Sequence, residues 1–362
     1  TAKVGPARLS SRLGVAGTDA GDDHAILDPE ALIVFTLEAA RTEPRLFDEM
    51  LDWLLRNGQA IDVQRLRNIL RQDSGGPARL LAAVASLLAE SETSAKWIRL
   101  AEPPAAVPKE REPLFLFGNG RSAPEPRSRD PRFDRAGYVR SPFVPRQLSG
   151  GVPRMSPACL RFRLRAFFGI GIRSEIAAFL LTHEGGVNGD AVARAIGFSP
   201  PGVQEALREM ETSDLVLSRR EGREKRYFLD RDRWWGFLGL AERSRVGETG
   251  KLSEARLLPM EGHDPKGHQK IAEKMELALA PPATWVNWSR LFRGLAAILR
   301  FLRRPDFERM TEYVRSSEFA MAAKAAMDDL EGAGLAFHLP RQERGDLEEH
   351  IAQLTRAIES LV

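Results

Sequence analysis

Between Ile172 and Asp230 the apolar residues change period once, from that of a helix to that of a strand, and few chain paths satisfy both within about sixty residues. Ile172, Ile176, Phe179 and Leu180 fall at i, i+4, i+7 and i+8, the buried stripe of one helix. Gly185-Gly186 is expected to end that helix, and Asn188 is placed to cap the next. Ala191, Val192, Ala195 and Ile196 predict a short second helix with one apolar face, closed by Gly197. Ser199 as N-cap and Pro200 at N1 open a third helix over 199–213. It turns Val203, Leu207 and Met210 inward and leaves Gln204, Glu205 and Arg208 in water. Leu215-Val216-Leu217 and Tyr227-Phe228-Leu229 then flank a charged turn at Gly222, which predicts a hairpin with a basic tip over 218–227.

The order helix, short helix, turn, helix, hairpin is carried by GDAVARAIGFSPPGVQEALREM followed at once by LVLSRREGREKRYFLD. Over about sixty residues it resembles the winged helix-turn-helix transcription regulators of the MarR and ArsR type. The resemblance implies a mainly α fold, with a central winged helix-turn-helix flanked by helical domains. It also implies a recognition helix at 199–213 in the major groove and a wing at 218–227 on the DNA backbone or in the minor groove. Base reading then falls to the exposed start of that helix, from Ser199 onward. Gln204 suits adenine, Arg208 guanine and Glu205 cytosine N4, while Pro201 and Gly202 let the backbone approach closely. Arg219, Arg220, Arg223, Lys225 and Arg226 of the wing would supply phosphate contacts. The helix itself is not basic, because Glu205, Glu209 and Glu211 outnumber Arg208. Affinity for double-stranded DNA is therefore expected to depend on the wing and on a homodimer. The same fold is also used for protein contacts alone.

A chain of 362 residues implies two or three domains, and 43% hydrophobic residues suffice for real cores. Net charge is only +3, so any nucleic-acid footprint must be local. The single cysteine, Cys159, excludes an intramolecular disulfide framework and a Cys-based zinc site. No apolar run is long enough to span a membrane and no signal peptide is visible, so a cytoplasmic protein is expected. There is no P-loop, no dinucleotide fingerprint and no nucleophile elbow, which argues against an enzyme. Gly118-Asn119-Gly120 reads more simply as a turn than as a phosphate cradle. His263, Asp264 and His268 are separated by a Pro and a Gly that break helical pairing, so no metal and no cofactor is expected.

Along the chain, residues 1–27 lack periodicity and read as a mobile tail, and 28–102 as a helical domain opened by Asp28-Pro29. That domain is either a plain bundle or a degenerate winged helix without a basic wing. Recurrent prolines exclude long helices from 103–157. Between Arg121 and Arg146 this stretch holds seven arginines against three acids, with Phe133, Tyr138 and Phe143 among them. It is a linker packing its aromatics on neighbouring domains, or an arm on DNA. Residues 158–240 contain the winged unit. There Arg161 to Phe168 form a flanking helix that serves dimerisation or phosphate contact, and Trp234, Trp235, Phe237 and Leu238 anchor its end. A loop-rich connection follows at 241–283, then a C-terminal helical dimerisation or partner domain at 284–362. Its last helix carries a seam of Leu347, Ile351, Leu354, Ile358 and Leu361. DPEALIVFTLEAA and RLFDEMLDWL resemble antitoxin autoregulators that pair with nucleotidyltransferase toxins. That likeness implies a cognate toxin as partner. A protein-docking scaffold is the third option.

Overall fold

The structure, a computed structural model, describes residues 25–72, 77–90, 95–102, 109–116, 122–154, 156–238, 283–304, 306–335 and 347–361. Of the tail expected over 1–27, residues 1–24 lie outside the described residues, as do Gly118-Asn119-Gly120 and His263, Asp264 and His268. Ala25, Ile26 and Leu27 are instead buried, with the Ile26 and Leu27 N–H groups donating to the Thr284 and Ala158 carbonyls at 2.8 Å. Among the described residues the chain is mainly helical.

Asp28 is extended and accepts the Ala31 N–H at 3.0 Å, opening helix α1 (Pro29–Ala39) with Pro29 at N1. Nearly every α1 side chain is buried, as expected for a helix that is apolar all round and central to its layer. Around it lie α2 (Pro44–Asn57), α3 (Val63–Gln72) and α4 (Ala78–Ala89). Asp62 caps α3 through the Arg65 N–H at 2.9 Å. A 3₁₀ turn, Ala95–Leu100, follows α4 and buries Trp97. Among the described residues no hairpin occurs between α1 and this turn, so what is described of this part is a bundle of helices without a wing.

The proline-rich stretch folds onto that bundle. Strand β1 (Glu112–Pro113) pairs in parallel with β2 (Tyr138–Val139), and α5 (Pro131–Arg135) precedes β2. Phe133, Tyr138 and Phe143 are buried in the bundle's core. The Arg140 guanidinium lies within 4.9–5.8 Å of the Phe133, Phe115, Phe143 and Phe47 ring centres and pairs with Asp48 at 2.9 Å. The Asp52 carboxylate accepts four successive backbone N–H groups, from Arg146, Gln147, Leu148 and Ser149, at 2.8–3.1 Å. Arg129 and Arg132 are paired with Glu125 and Asp130. These contacts are those of the linker alternative, with Phe133, Tyr138, Phe143 and Arg140 buried on the bundle, while Arg127, Arg129, Arg135 and Arg146 stay exposed.

The C-terminal helices α11 (Trp288–Leu302), α12 (Glu312–Gly332) and α13 (Leu347–Leu361) join the same core. Phe292 stacks on Phe35 with ring centres 4.7 Å apart, and Trp288 Nε1 donates to the Ile26 carbonyl at 2.6 Å. Gly294 admits α12 closely, because a Cβ there would lie 2.8 Å from Leu330 Cδ2. The expected boundary around 284 therefore does not separate two cores. Leu354 is buried and Leu347, Ile351 and Ile358 pack on the shared core, so these positions of the α13 seam are covered by their own chain and are not free for dimerisation.

A second core surrounds α6 (Leu160–Phe168), α7 (Ile172–Leu181), β3 (Val187–Asn188), α8 (Gly189–Ile196), α9 (Pro200–Thr212), β4 (Leu217–Glu221), β5 (Glu224–Phe228) and α10 (Arg231–Phe237). Helix α6 serves both cores. Leu160 and Leu164, one turn apart, enter the second, and Phe162 enters the first. Arg161 and Arg165, the remaining side of the same turn, point into the seam between the cores and are buried. They are therefore not available to phosphate.

In that seam three arginines meet three carboxylates: Arg65, Arg161 and Arg165 with Asp28, Glu30 and Glu175. Arg165 donates to Glu30 at 2.8 Å through both terminal nitrogens, to Glu175 at 2.7 Å and to the Ala60 carbonyl at 2.9 Å. Arg161 pairs with Glu175 and stacks over Trp285 at 4.2 Å. Burial pushes the Glu175 carboxyl up, but Arg161, Arg165 and Arg65 together outweigh it and hold it below the usual range. Asp28 is held low in the same way, burial being outweighed by Arg65 and Arg161.

Candidate nucleic-acid interface

Asn188 Oδ1 accepts the Ala191 N–H at 2.8 Å and caps α8, as its position after the diglycine implied. Helix α7 stops at Leu181, short of that diglycine, and Gly185 and Gly186 both adopt positive φ in the turn that follows. Gly197 ends α8 in the left-handed region, with φ 77°. Ser199 occupies the N-cap position of α9, but its side chain makes no capping hydrogen bond. Val203, Leu207 and Met210 are buried against the other helices, while Gln204, Glu205 and Arg208 are exposed. The α9 face expected to read bases is thus open to solvent, and Pro201 is exposed beside it. Gly202 is not part of that face. A Cβ on it would sit 3.2 Å from Ile172 Cδ1 and 3.3 Å from Ser199 Oγ, so the glycine lets α9 pack on the start of α7.

The hairpin closes through Gly222, at φ 62°, with Glu221 opposite Glu224. Sequence reasoning missed the short strand β3. It pairs with β5 and completes an antiparallel sheet of order β3-β5-β4. The pleat sorts the five wing cations. Ser218 opposite Tyr227 and Arg220 opposite Lys225 share the face turned toward α9, because Tyr227 is buried there and both Ser218 and Lys225 bond Glu211 of α9, at 2.5 and 2.6 Å. The other face carries Arg219 opposite Arg226, a like-charge pair that would repel. Glu221 lies between them, 2.6 Å from Arg219 and 2.9 Å from Arg226. Arg219 also donates to the Gly185 carbonyl at 2.8 Å and Arg226 to that of Gly186 at 3.4 Å. These two arginines fasten the hairpin to the turn after α7.

Lys225 is likewise committed. Its hydrogen bond and that of Ser218 hold the Glu211 carboxyl below the usual range, and the same contact raises Lys225. Arg220 and Arg223 carry no ion pair among the described residues, and both are exposed. Arg208 is similarly open, bonding only the Gln204 carbonyl of its own helix, at 3.3 Å. Arg194, exposed on α8, is a fourth such cation, one that sequence reasoning did not select. It lies one turn beyond Asp190 on α8, and Asp190 bonds Gln204 at 3.4 Å, so Arg194 borders the face of Gln204 and Arg208. From Ser199 to Phe228 six cations face six carboxylates, so the surface as a whole is neutral and its positive charge is local.

At the end of the unit Trp235 and Leu238 are buried, as expected for an anchor. Phe237 is not, being 63% exposed and in contact with the half-exposed Phe167, ring centres 5.3 Å apart. Cys159 is buried between α6 and the first core, and burial pushes its thiol up to about 12. No protein-family model matches the chain, and no curated protein or solved structure matches it either.

Proposed function

We propose that residues 172–229 form a winged helix-turn-helix and that the chain is a sequence-specific, double-stranded-DNA-binding transcription regulator. The observation that carries this reading is a juxtaposition. The unit runs helix, strand, helix, helix, strand, strand, with sheet order β3-β5-β4, and it sets the unpaired Arg220 on the α9 side of the hairpin. Helix α9 would enter the major groove with Gln204, Glu205 and Arg208 toward base edges. Arg194, Arg220 and Arg223 would contact phosphate, whereas Arg219, Lys225 and Arg226 keep the wing in place. Four open cations per unit give modest affinity alone, so the working species is a two-fold dimer on successive grooves.

The test is binding to the DNA upstream of its own gene and to a scrambled duplex over a salt series. Each contacted phosphate adds about −0.9 to the slope of log affinity on log salt, so three give a slope of about −3 per unit. Arg220→Ala with Arg223→Ala should lower that slope by about 2 on both duplexes. Arg208→Ala should instead erase the preference between them. Absence of salt-dependent binding in the wild type overturns the reading.

A second reading is favoured by the neutral surface and by the exposed Phe167–Phe237 contact. In it the unit docks a protein, as an antitoxin docks its toxin, and DNA binding serves autoregulation. Loss of a co-purifying partner in Phe237→Ser, with DNA affinity intact, would favour it.

A further inference from the structure

The last carbonyls of a helix have no partner within it, and those of α8 are satisfied from a distant part of the chain. The Ile196 carbonyl accepts from Arg65 Nε at 2.8 Å, and the Gly197 carbonyl accepts from Asn68 Nδ2 at 3.1 Å. Both donors lie on one face of α3, three residues apart. Gln64 Nε2 donates to Asn68 Oδ1 at 3.1 Å and so orients the amide with its nitrogen toward the turn. Arg65 is gripped on its far side by Asp28 at 2.5 Å and by Glu30 at 2.9 Å, which ties the bond to the start of α1. The turn from Ile196 to Ser199 leads straight into α9, whose N-cap serine makes no capping bond of its own. While Phe198 packs on the second core, the side-chain hydrogen bonds that hold the turn from outside, among the described residues, come from α3.

We infer that α3 sets the angle between α8 and α9, with Asn68 and Arg65 as positioning residues for sequence-specific DNA binding. This rests on the DNA-binding reading above. Phosphate contacts tolerate small rotations because Lys and Arg side chains adjust, but bidentate base contacts do not. Loosening the turn therefore lowers specificity without lowering non-specific affinity. It also gives the helical layer a route to the DNA-reading helix, since any shift of α3 moves the turn with it.

The variant to make is Asn68→Ala, at a half-buried edge position whose loss spares the charge cluster. Arg67→Ala is the control, on the same helix but bonded to the Arg99 carbonyl. The probes are a duplex selected by the wild type from a pool with a randomised core, and the unselected pool itself. Asn68→Ala should reduce the ratio of the two affinities by about five-fold, the worth of one hydrogen bond, with pool affinity and salt slope unchanged. In the DNA-free protein, amide exchange at residues 197–203 should accelerate by a similar factor while β4 and β5 keep their protection. An unchanged ratio, or equal weakening of both DNAs, overturns the inference, as does unchanged exchange at the turn. If the wild type selects no duplex over the pool, the DNA reading falls. The inference that α3 positions α9 for base reading falls with it, and the exchange result then shows only whether α3 holds the turn.

Discussion

Replacing Arg165 by Met keeps an unbranched apolar stem but removes the guanidinium that is the hub of the buried charge seam. Five hydrogen bonds are lost: two to Glu30, two to Glu175 and one to the Ala60 carbonyl. Three guanidiniums against three carboxylates become two against three. Both orphaned carboxylates are fully buried and keep one close guanidinium each, Arg65 for Glu30 and Arg161 for Glu175. Breaking a buried pair from one side costs about 3–5 kcal/mol, because the remaining charge stays desolvated. At a urea slope of roughly 3 kcal/mol/M that moves the midpoint down by on the order of 1 M. The pH dependence separates this cause from lost packing. In the wild type Asp28 and Glu175 are depressed, so their contribution is present above the unfolded carboxylate range and is lost only as pH falls through the lower folded values. Asp28 and Glu175 therefore add no pH dependence of their own from about pH 5 to 8. In the variant the surplus negative charge raises a carboxyl, whose stabilising protonated form is lost as pH rises through that raised value. The deficit should thus be larger at pH 8 than at pH 5 in urea titrations followed by tryptophan fluorescence. A deficit below 1 kcal/mol, or one independent of pH, would refute the reasoning.

Asp52→Ala leaves four backbone N–H groups of the 146–149 turn without their acceptor, and should cost about 2–3 kcal/mol. Burial raises the Asp52 carboxyl, but the backbone donors of Gln147, Ser149 and Arg146 outweigh it and hold it low. The difference should therefore be full at pH 7 and fade as pH drops through that lowered value, measured by urea midpoints at pH 7 and below 4. Gly202→Ala should stabilise by about 0.5 kcal/mol, since the contacting Ile172 Cδ1 is a flexible end that can give way and alanine favours the helix. DNA affinity should be unchanged, and a loss of binding would restore a role for this glycine in backbone approach. Cys159 should not react with a thiol reagent at pH 8 in the folded protein and should titrate fully in denaturant.

The candidate site was legible in sequence to the extent that its determinants are local. The inward stripe of Val203, Leu207 and Met210, the cap at Asn188 and the left-handed close at Gly197 follow from helix geometry within a few residues. The hairpin about Gly222 follows from alternation. Which of its cations are open did not follow. Arg219 and Arg220 are neighbours of identical type, and the pleat sends one to Glu221 and the turn after α7 while leaving the other toward α9. Gly202 misled for the same reason, because a glycine that admits a neighbouring helix looks like one that admits a ligand.

The sequence by itself determined most of the helical elements, the caps at Asp28 and Asn188, and the change of period that sets three helices before a hairpin. Those depend on contacts between residues a turn or a strand pair apart. Tertiary structure decided that α1 to α4 and α11 to α13 share one core, that Leu347, Ile351, Leu354 and Ile358 of α13 are covered by their own chain, and that Phe133, Tyr138 and Phe143 of the proline-rich stretch are packed on the bundle. It also decided that Arg161 and Arg165 belong to the interior. Arg165 finds Glu30 across 135 positions of sequence, and no local pattern distinguishes an arginine with such a partner from one left in solvent. Charge has no period, so where a charged side chain ends up is settled only when distant elements pack and desolvation makes a partner obligatory.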